Sequence, residues 1–170
     1  MTTDVVRDPP SEREVALRVV AAVAALPPGE LASLRRLDAD TVQAPAFWRI
    51  VATLLDAHLP AGEPARREAE GRWAVAVAAM ATAKGLHSPK VRLGAALAGV
   101  VDERRVLQLL RARGNALADG VRMVVHHLVS KGVAFDQSDL ARLVLSDGRG
   151  DEEAVRRDVY RFFFAAQPRD

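Results

Sequence analysis

Residues 11–26 read "SEREVALRVVAAVAAL", and this stretch decides the fold class. Ser11 and Glu14, placed after Pro9 and Pro10, stand at capping-box spacing. In that pattern a hydroxyl and a carboxylate each satisfy a backbone N–H that the first helical turn leaves open. Val15, Val19, Ala22, Val23 and Leu26 then recur every three or four residues, the period of one helical face. "PPG" at 27–29 ends the run.

The same pattern continues outward. "ELASLRRL" (30–37) sets Leu31, Leu34 and Leu37 on one side of a short helix and turns Arg35 and Arg36 away. "DADTVQAP" reads as a loop, and "AFWRIVATLLDAHL" as a helix entered near Pro45, a residue accepted in a first turn. Its buried face is Phe47, Ile50, Val51, Leu54 and Leu55. "PAGEP" breaks it, and a long helix follows from about Ala65 to Ala83, charged at its start and apolar in its body. "KGLHSPK" (84–90) is a loop and the expected boundary between an N-terminal helical bundle, 1–84, and a C-terminal one, 85–170.

Five helical segments fill the second half: "VRLGAALAGV", "DERRVLQLLRAR", "ALADGVRMVVHHLVS", "QSDLARLVLS" and "EEAVRRDVYRFFFAA". Gly114, Gly132 and Gly148 punctuate them, and Asp136 is the expected N-cap of "QSDL". No stretch alternates in the manner of a strand. The expectation is an all-α fold, two small helical bundles packed into one elongated protein.

With 170 residues and 49% hydrophobic content, the chain can bury a sizeable core. It has no cysteine, which excludes disulfides and thiolate metal sites. "MTTDVVRDPP" lacks the layout of a signal peptide, and no apolar run approaches the roughly 20 residues of a membrane span. A soluble, cytoplasmic protein with no membrane partner is expected.

Net charge is only +2, but it is unevenly placed. Between Lys84 and Arg113 the bases Lys84, Lys90, Arg92, Arg104, Arg105, Arg111 and Arg113 face only Asp102 and Glu103, leaving a net +5 there and −3 elsewhere. Localised positive charge is the footprint of a phosphate-binding surface. An arginine excess imposed by genomic base composition would look similar, since 21 of the 24 bases are arginine. On a helical wheel Arg104, Arg105 and Arg111 gather opposite Val106, Leu107, Leu109 and Leu110. Arg113 stands apart near the helix end, where a cation meets the dipole.

Signs of catalysis are weak. His126 and His127 point about 100° apart on a helix and do not share a metal. One of the pair is expected at the core edge and the other in solvent. There is no phosphate-binding glycine loop and no nucleophile beside a base, and "DEE" (151–153) suits a helix N-terminus. No catalytic residue, metal site or cofactor is expected.

In order, "PPGELASLRRL", "APAFWRIV", "VRLGAALAGV", "DERRVLQLLRAR" and "LVSKGVAFDQSDLARLVL" resemble the CasB family, the small subunit of the type I-E CRISPR Cascade surveillance complex. The matching order runs from about Gly29 to Phe164 and ends in a helix with bases followed by aromatics, "VRRDVYRFFF". The resemblance implies a non-catalytic helical protein, present as a pair with a second copy of itself and bridging other Cascade subunits. It also implies basic residues that hold the guide RNA–target DNA heteroduplex and the displaced non-target strand, stabilising the R-loop.

Carried over residue by residue, Arg35 and Arg36 match the family's "LRR" segment, Arg104 and Arg105 its "E.R", and Arg111 its "LLRA". Arg122 lies on the next helix, where the family also carries bases. Phe47 and Trp48 match the "P.F" element and are expected to pack inside. The candidate nucleic-acid-binding set is Arg35, Arg36, Lys84, Lys90, Arg92, Arg104, Arg105, Arg111, Arg113 and Arg122. The chain departs from the family at Ala95, where a base is frequent, and at "RARG", which replaces "RADR". Tyr160, Phe162, Phe163 and Phe164 replace tryptophans frequent near the final helices, and the loop before "LG" is short. The competing readings are a helical protein-interaction scaffold that binds no nucleic acid and, with less support, a helix-turn-helix regulator lacking an evident recognition helix.

Overall fold

The computed structural model describes residues 8–40 and 43–168. The opening "MTTDVVR" and, in the loop before Pro45, Thr41 and Val42 lie outside the described residues. Among the described residues there are α-helices, short 3₁₀ and π turns, and no strand.

Helix α1 (Glu12–Ala24) starts as its first residues dictate: Ser11 Oγ accepts from the Glu14 N–H at 3.3 Å, and Glu14 Oε2 accepts from the Ser11 N–H at 2.6 Å. Proline opens both α2 (Pro28–Leu34) and α3 (Pro45–Ile50). The expected third helix changes pitch halfway. Val51–Leu55 widens to a π turn and Asp56–His58 tightens to 3₁₀. Thr53 Oγ donates to the Arg49 carbonyl at 2.7 Å, a back-bond of the kind that bends helices.

Helix α4 (Ala65–Thr82) is the centre of the molecule. From Trp73 to Ala83 every residue but Thr82 is buried, as suits a helix apolar on all sides. One face joins Val15 and Val19 of α1, Leu34 of α2, Phe47 of α3 and Leu55 through Ala74, Val77 and Met80. The other joins α5 (Leu93–Ala98), α6 (Glu103–Arg111), α7 (Gly114–Ser130) and α9 (Glu152–Ala165) through Val75, Ala79 and Ala83. Helix α8 (Gln137–Leu145) serves both clusters: Ala141 and Leu145 enter the first, Leu140 and Val144 the second.

The 84–90 loop is pinned. Ser88 N donates to Phe135 O (2.9 Å), Phe135 N to Leu86 O (3.0 Å) and Asp136 N to Val91 O (2.7 Å). The buried Gln137 side chain adds a donor to the Ala83 carbonyl at 2.8 Å, capping the end of α4.

Two expectations about packing need correction. Phe47 is fully buried, but Trp48 is 43% exposed and sets its ring edge-on to Phe47 at 5.4 Å. Adjacent helical residues diverge by about 100°, and with Phe47 pointing into the core Trp48 falls at its margin. Leu107 is only half-buried for the same reason, beside the buried Val106.

Helices α5 and α9 touch backbone to backbone at Gly94. A Cβ there would stand 2.1 Å from the Val159 carbonyl oxygen and 2.9 Å from the Phe163 nitrogen.

Asp136 ties α1 to the start of α8. Its buried carboxylate caps α8 through Ser138 N (2.9 Å) and Ser138 Oγ (2.6 Å), and accepts from Arg13 of α1 at 2.8 Å. Burial alone would raise its pKa; the Ser138 and Arg13 bonds outweigh burial and hold it below the ordinary carboxylate value. A folded pKa below the unfolded one stabilises above the unfolded value, about 4, and that contribution disappears as pH falls through the folded value. Thermal melts between neutral pH and pH of about 3 are expected to show wild type losing stability at the acid end. Asp136→Asn, less stable at neutral pH, should lose less there; parallel melting curves would contradict this role.

Candidate nucleic-acid interface

Helix α6 begins at Asp102, whose Oδ1 accepts from the Arg105 N–H at 2.8 Å. Val106, Leu109 and Leu110 are buried, so Arg104, Gln108 and Arg111, three and four residues apart, share one exposed stripe. Arg105 stands about 100° round the helix from Arg104. It reaches across to α7, where its Nη1 lies 3.2 Å from His127 Nε2. His127 Nδ1 is 2.8 Å from the Met123 carbonyl, which can only accept. Nδ1 therefore carries the hydrogen and Nε2 is free to accept from Arg105. His127 is half-buried and His126 exposed, the split expected of adjacent helical residues.

Carboxylate pairing sorts the candidate cations. Arg92 pairs with Asp139 (2.7 Å), Arg122 with Asp119 (3.0 Å), and Arg113 with Glu152 (3.1 Å) and, more distantly, Asp147 (3.8 Å). Arg35, Arg36, Lys84, Lys90, Arg104, Arg105 and Arg111 have no carboxylate partner among the described residues, and outside the candidate set only Arg18 and Lys131 share that condition. The unneutralised positive charge of the described chain thus falls mainly on residues chosen from sequence.

The structure brings two of these from distant parts of the chain onto one groove. Arg35, following α2, and Arg122 of α7 line it together with His126 and Thr82, over a floor that includes Leu37, Val75, Ala79, Val121 and Val125. Arg35 is held in place by its Nε, which donates to the Ala81 carbonyl near the end of α4 at 3.1 Å.

Arg92 and Arg113 are set into the fold. The Arg92 guanidinium lies 4.3 Å above the Phe162 ring while its Nε bonds Asp139, joining α5, α8 and α9. Arg113 donates to the Leu110 and Ala112 carbonyls at 3.3 and 2.9 Å, closing the end of α6. It shares its carboxylates with Arg156, which sequence reasoning did not single out. Arg156 is 6% exposed and places Nη2 3.3 Å from Asp147 and 3.2 Å from the Ala112 carbonyl, with Nη1 3.1 Å from Glu152. The Gly148 N–H, Arg156 and Arg113 together hold the Glu152 carboxyl below its ordinary value. This cluster fastens the α6–α7 corner to the α8–α9 corner.

Residues 30–164 match the family profile of CRISPR-associated protein Cse2. The chain belongs to the Cse2 family. This is the family, also known as CasB, that the motif order resembles. No curated protein sequence matches. The Cse2-family chain is similar to a chain in the crystal structure of E. coli Cascade bound to a PAM-containing dsDNA target. The two are 25% identical with a TM-score of 0.67, covering 89% of this chain and 97% of the other. It also shares its fold with CasB from Thermobifida fusca at 19% identity and TM-score 0.68, covering 89% and 94% of the two chains. No helix among the described residues of this chain is long and apolar enough to cross a membrane.

Sequence reasoning set His126 aside because it lacked a metal-site partner. The available signal was different: His126 follows Arg122 by four residues, which puts both on one exposed stripe of α7.

Proposed function

We propose that this Cse2-family protein is a non-catalytic subunit of a type I-E Cascade complex. There it stabilises the R-loop, meaning the guide RNA–target DNA heteroduplex and the displaced non-target strand, and bridges other subunits beside a second copy of itself. The observation that carries the proposal is the sorting of cations. Arg104, Arg105 and Arg111 on α6, Arg35 and Arg36 after α2, and Lys84 and Lys90 in the pinned loop keep their charge unmatched by carboxylates among the described residues.

An arginine committed to several groups of the fold, as Arg92 and Arg113 are, is not free to turn to a phosphate, whereas an unpaired one releases counterions for each phosphate it meets. Exchange of a DNA duplex for an RNA–DNA heteroduplex is close to balanced, so backbone contacts of this kind tip it. They position strands without reading bases, which suits a complex whose sequence reading is done by base pairing. The exposed Trp48 and Phe164 supply apolar contact for neighbouring subunits.

The class of function is tested by co-expression with the other Cascade subunits and a guide RNA. The chain is expected to co-purify with the guide-containing ribonucleoprotein. Elution apart from an otherwise assembled complex would overturn the proposal. A chain that assembles but contributes nothing to target binding would favour a protein-interaction scaffold.

A further inference from the structure

We propose that the groove between α2, α4 and α7 seats one backbone phosphate of a nucleic acid strand, clasped by Arg35 on one side and by Arg122 and His126 on the other. The inference rests on the nucleic-acid reading above and adds to it a defined site and a residue, His126, outside the candidate set. The Arg35 Nε is committed to the Ala81 carbonyl, so the guanidinium is oriented while both terminal nitrogens stay available. Two parallel N–H groups from such a fork match two phosphate oxygens. Anchoring at the Ala81 carbonyl also covers part of the negative end of α4, which would otherwise repel an anion.

Arg122 uses Nη1 for Asp119, but both partners are exposed, 48% and 75%. An ion pair in that setting contributes little and yields to a phosphate held by several cations. His126, one turn further along α7, adds a third donor to the same rim. Thr82 contributes shape, because its hydroxyl already donates to the Ala78 carbonyl at 2.9 Å. Among the described residues, no carboxylate lines the groove. Its recess of about 30 Å³ has room for a phosphate oxygen or a water but not for a base. A seated phosphate would therefore bridge a residue following α2, in the first core cluster, and α7, in the second.

The test uses the full-length protein, a fluorescent single-stranded DNA oligonucleotide and titrations across a series of salt concentrations. Arg35→Ala and Arg122→Ala should each weaken binding by about tenfold and His126→Ala by about twofold. Because the two arginines share one phosphate, the double variant should lose clearly less than the product of the single losses. Its salt slope should flatten by about 0.7, the value for a single phosphate on a single strand. Arg122 is exposed and, among the described residues, bonds Asp119 alone, so its single variant reads binding without disturbing the fold.

Multiplicative losses with a slope flattened by about 1.4 would mean two separate phosphates and overturn the shared site. If the groove variants bind like wild type while Arg104→Ala with Arg111→Ala weakens binding, the groove proposal fails and the broader reading survives. Groove variants that bind DNA normally but no longer assemble with Cascade would assign the groove to a protein contact, also overturning the proposal. Absence of binding by wild type at low salt would overturn both readings.

Discussion

Gly94→Ala is expected to destabilise the protein by about 2–3 kcal/mol and lower its melting temperature by about 8 °C. The added Cβ would lie 2.1 Å from the Val159 carbonyl oxygen, 2.9 Å from the Phe163 nitrogen and 3.0 Å from the Phe162 Cβ. Two of these are backbone atoms of a continuous helix, so no side chain can rotate away. Helix α5 would have to retreat from α9 as a unit, loosening Leu93 and Leu97 on one side and Phe163 on the other. Alanine's better helix propensity, about 1 kcal/mol, offsets only part of that loss. Gly29→Ala is the control, because a Cβ there meets nothing within 4 Å. It should be neutral or stabilising by up to about 1 kcal/mol. Urea unfolding of the two variants beside wild type checks both, and equal stability of Gly94→Ala and wild type would refute the backbone contact.

Arg156→Ala is expected to cost about 3 kcal/mol. Removing one partner of a buried ion pair typically costs about 3–5 kcal/mol, because the remaining charge is left without compensation. The lower end applies because Asp147 and Glu152 keep 14% and 24% of their side-chain surface in water and retain Arg113 as a partner. The Ala112 carbonyl and the Arg113 pairing would also lose a neighbour. Arg156→Met retains most of the aliphatic volume, so its loss isolates the charge contribution. Arg113→Ala, with 49% of its side chain exposed, should cost under about 1 kcal/mol despite touching the same carboxylates. Equal losses at the two positions would contradict the buried character of Arg156.

What could be read in advance follows from the range of each interaction. The capping box of Ser11 and Glu14, the N-cap role of Asp136 and the limits of α4 depend on neighbours within a turn or two, and the structure places them as expected. Gly94 was not legible, since "LGAAL" records a small residue but not the α9 backbone lying against it. The charge count misled in a similar way. Arg92 and Arg113 contribute to the +5 window in the sequence, yet Asp139, Asp147 and Glu152, all outside that window, neutralise them in the fold. Only three-dimensional pairing separates cations that build the protein from those left over for a partner. Arg156 lies beyond the window, among acids, and gave no sign of being buried. Trp48 matched an aromatic element expected to pack inside, and helical geometry turned it outward once Phe47 had taken the core.

The most direct test of the central claim is R-loop formation by assembled Cascade containing either wild type or the Arg104→Ala, Arg105→Ala, Arg111→Ala variant, measured over a range of salt concentrations. None of the three has a carboxylate partner among the described residues, so the variant should fold and assemble. The predicted result is R-loop formation at least about tenfold weaker at low salt, with a logarithmic salt slope shallower by about two. Superimposable curves for the two complexes would contradict it.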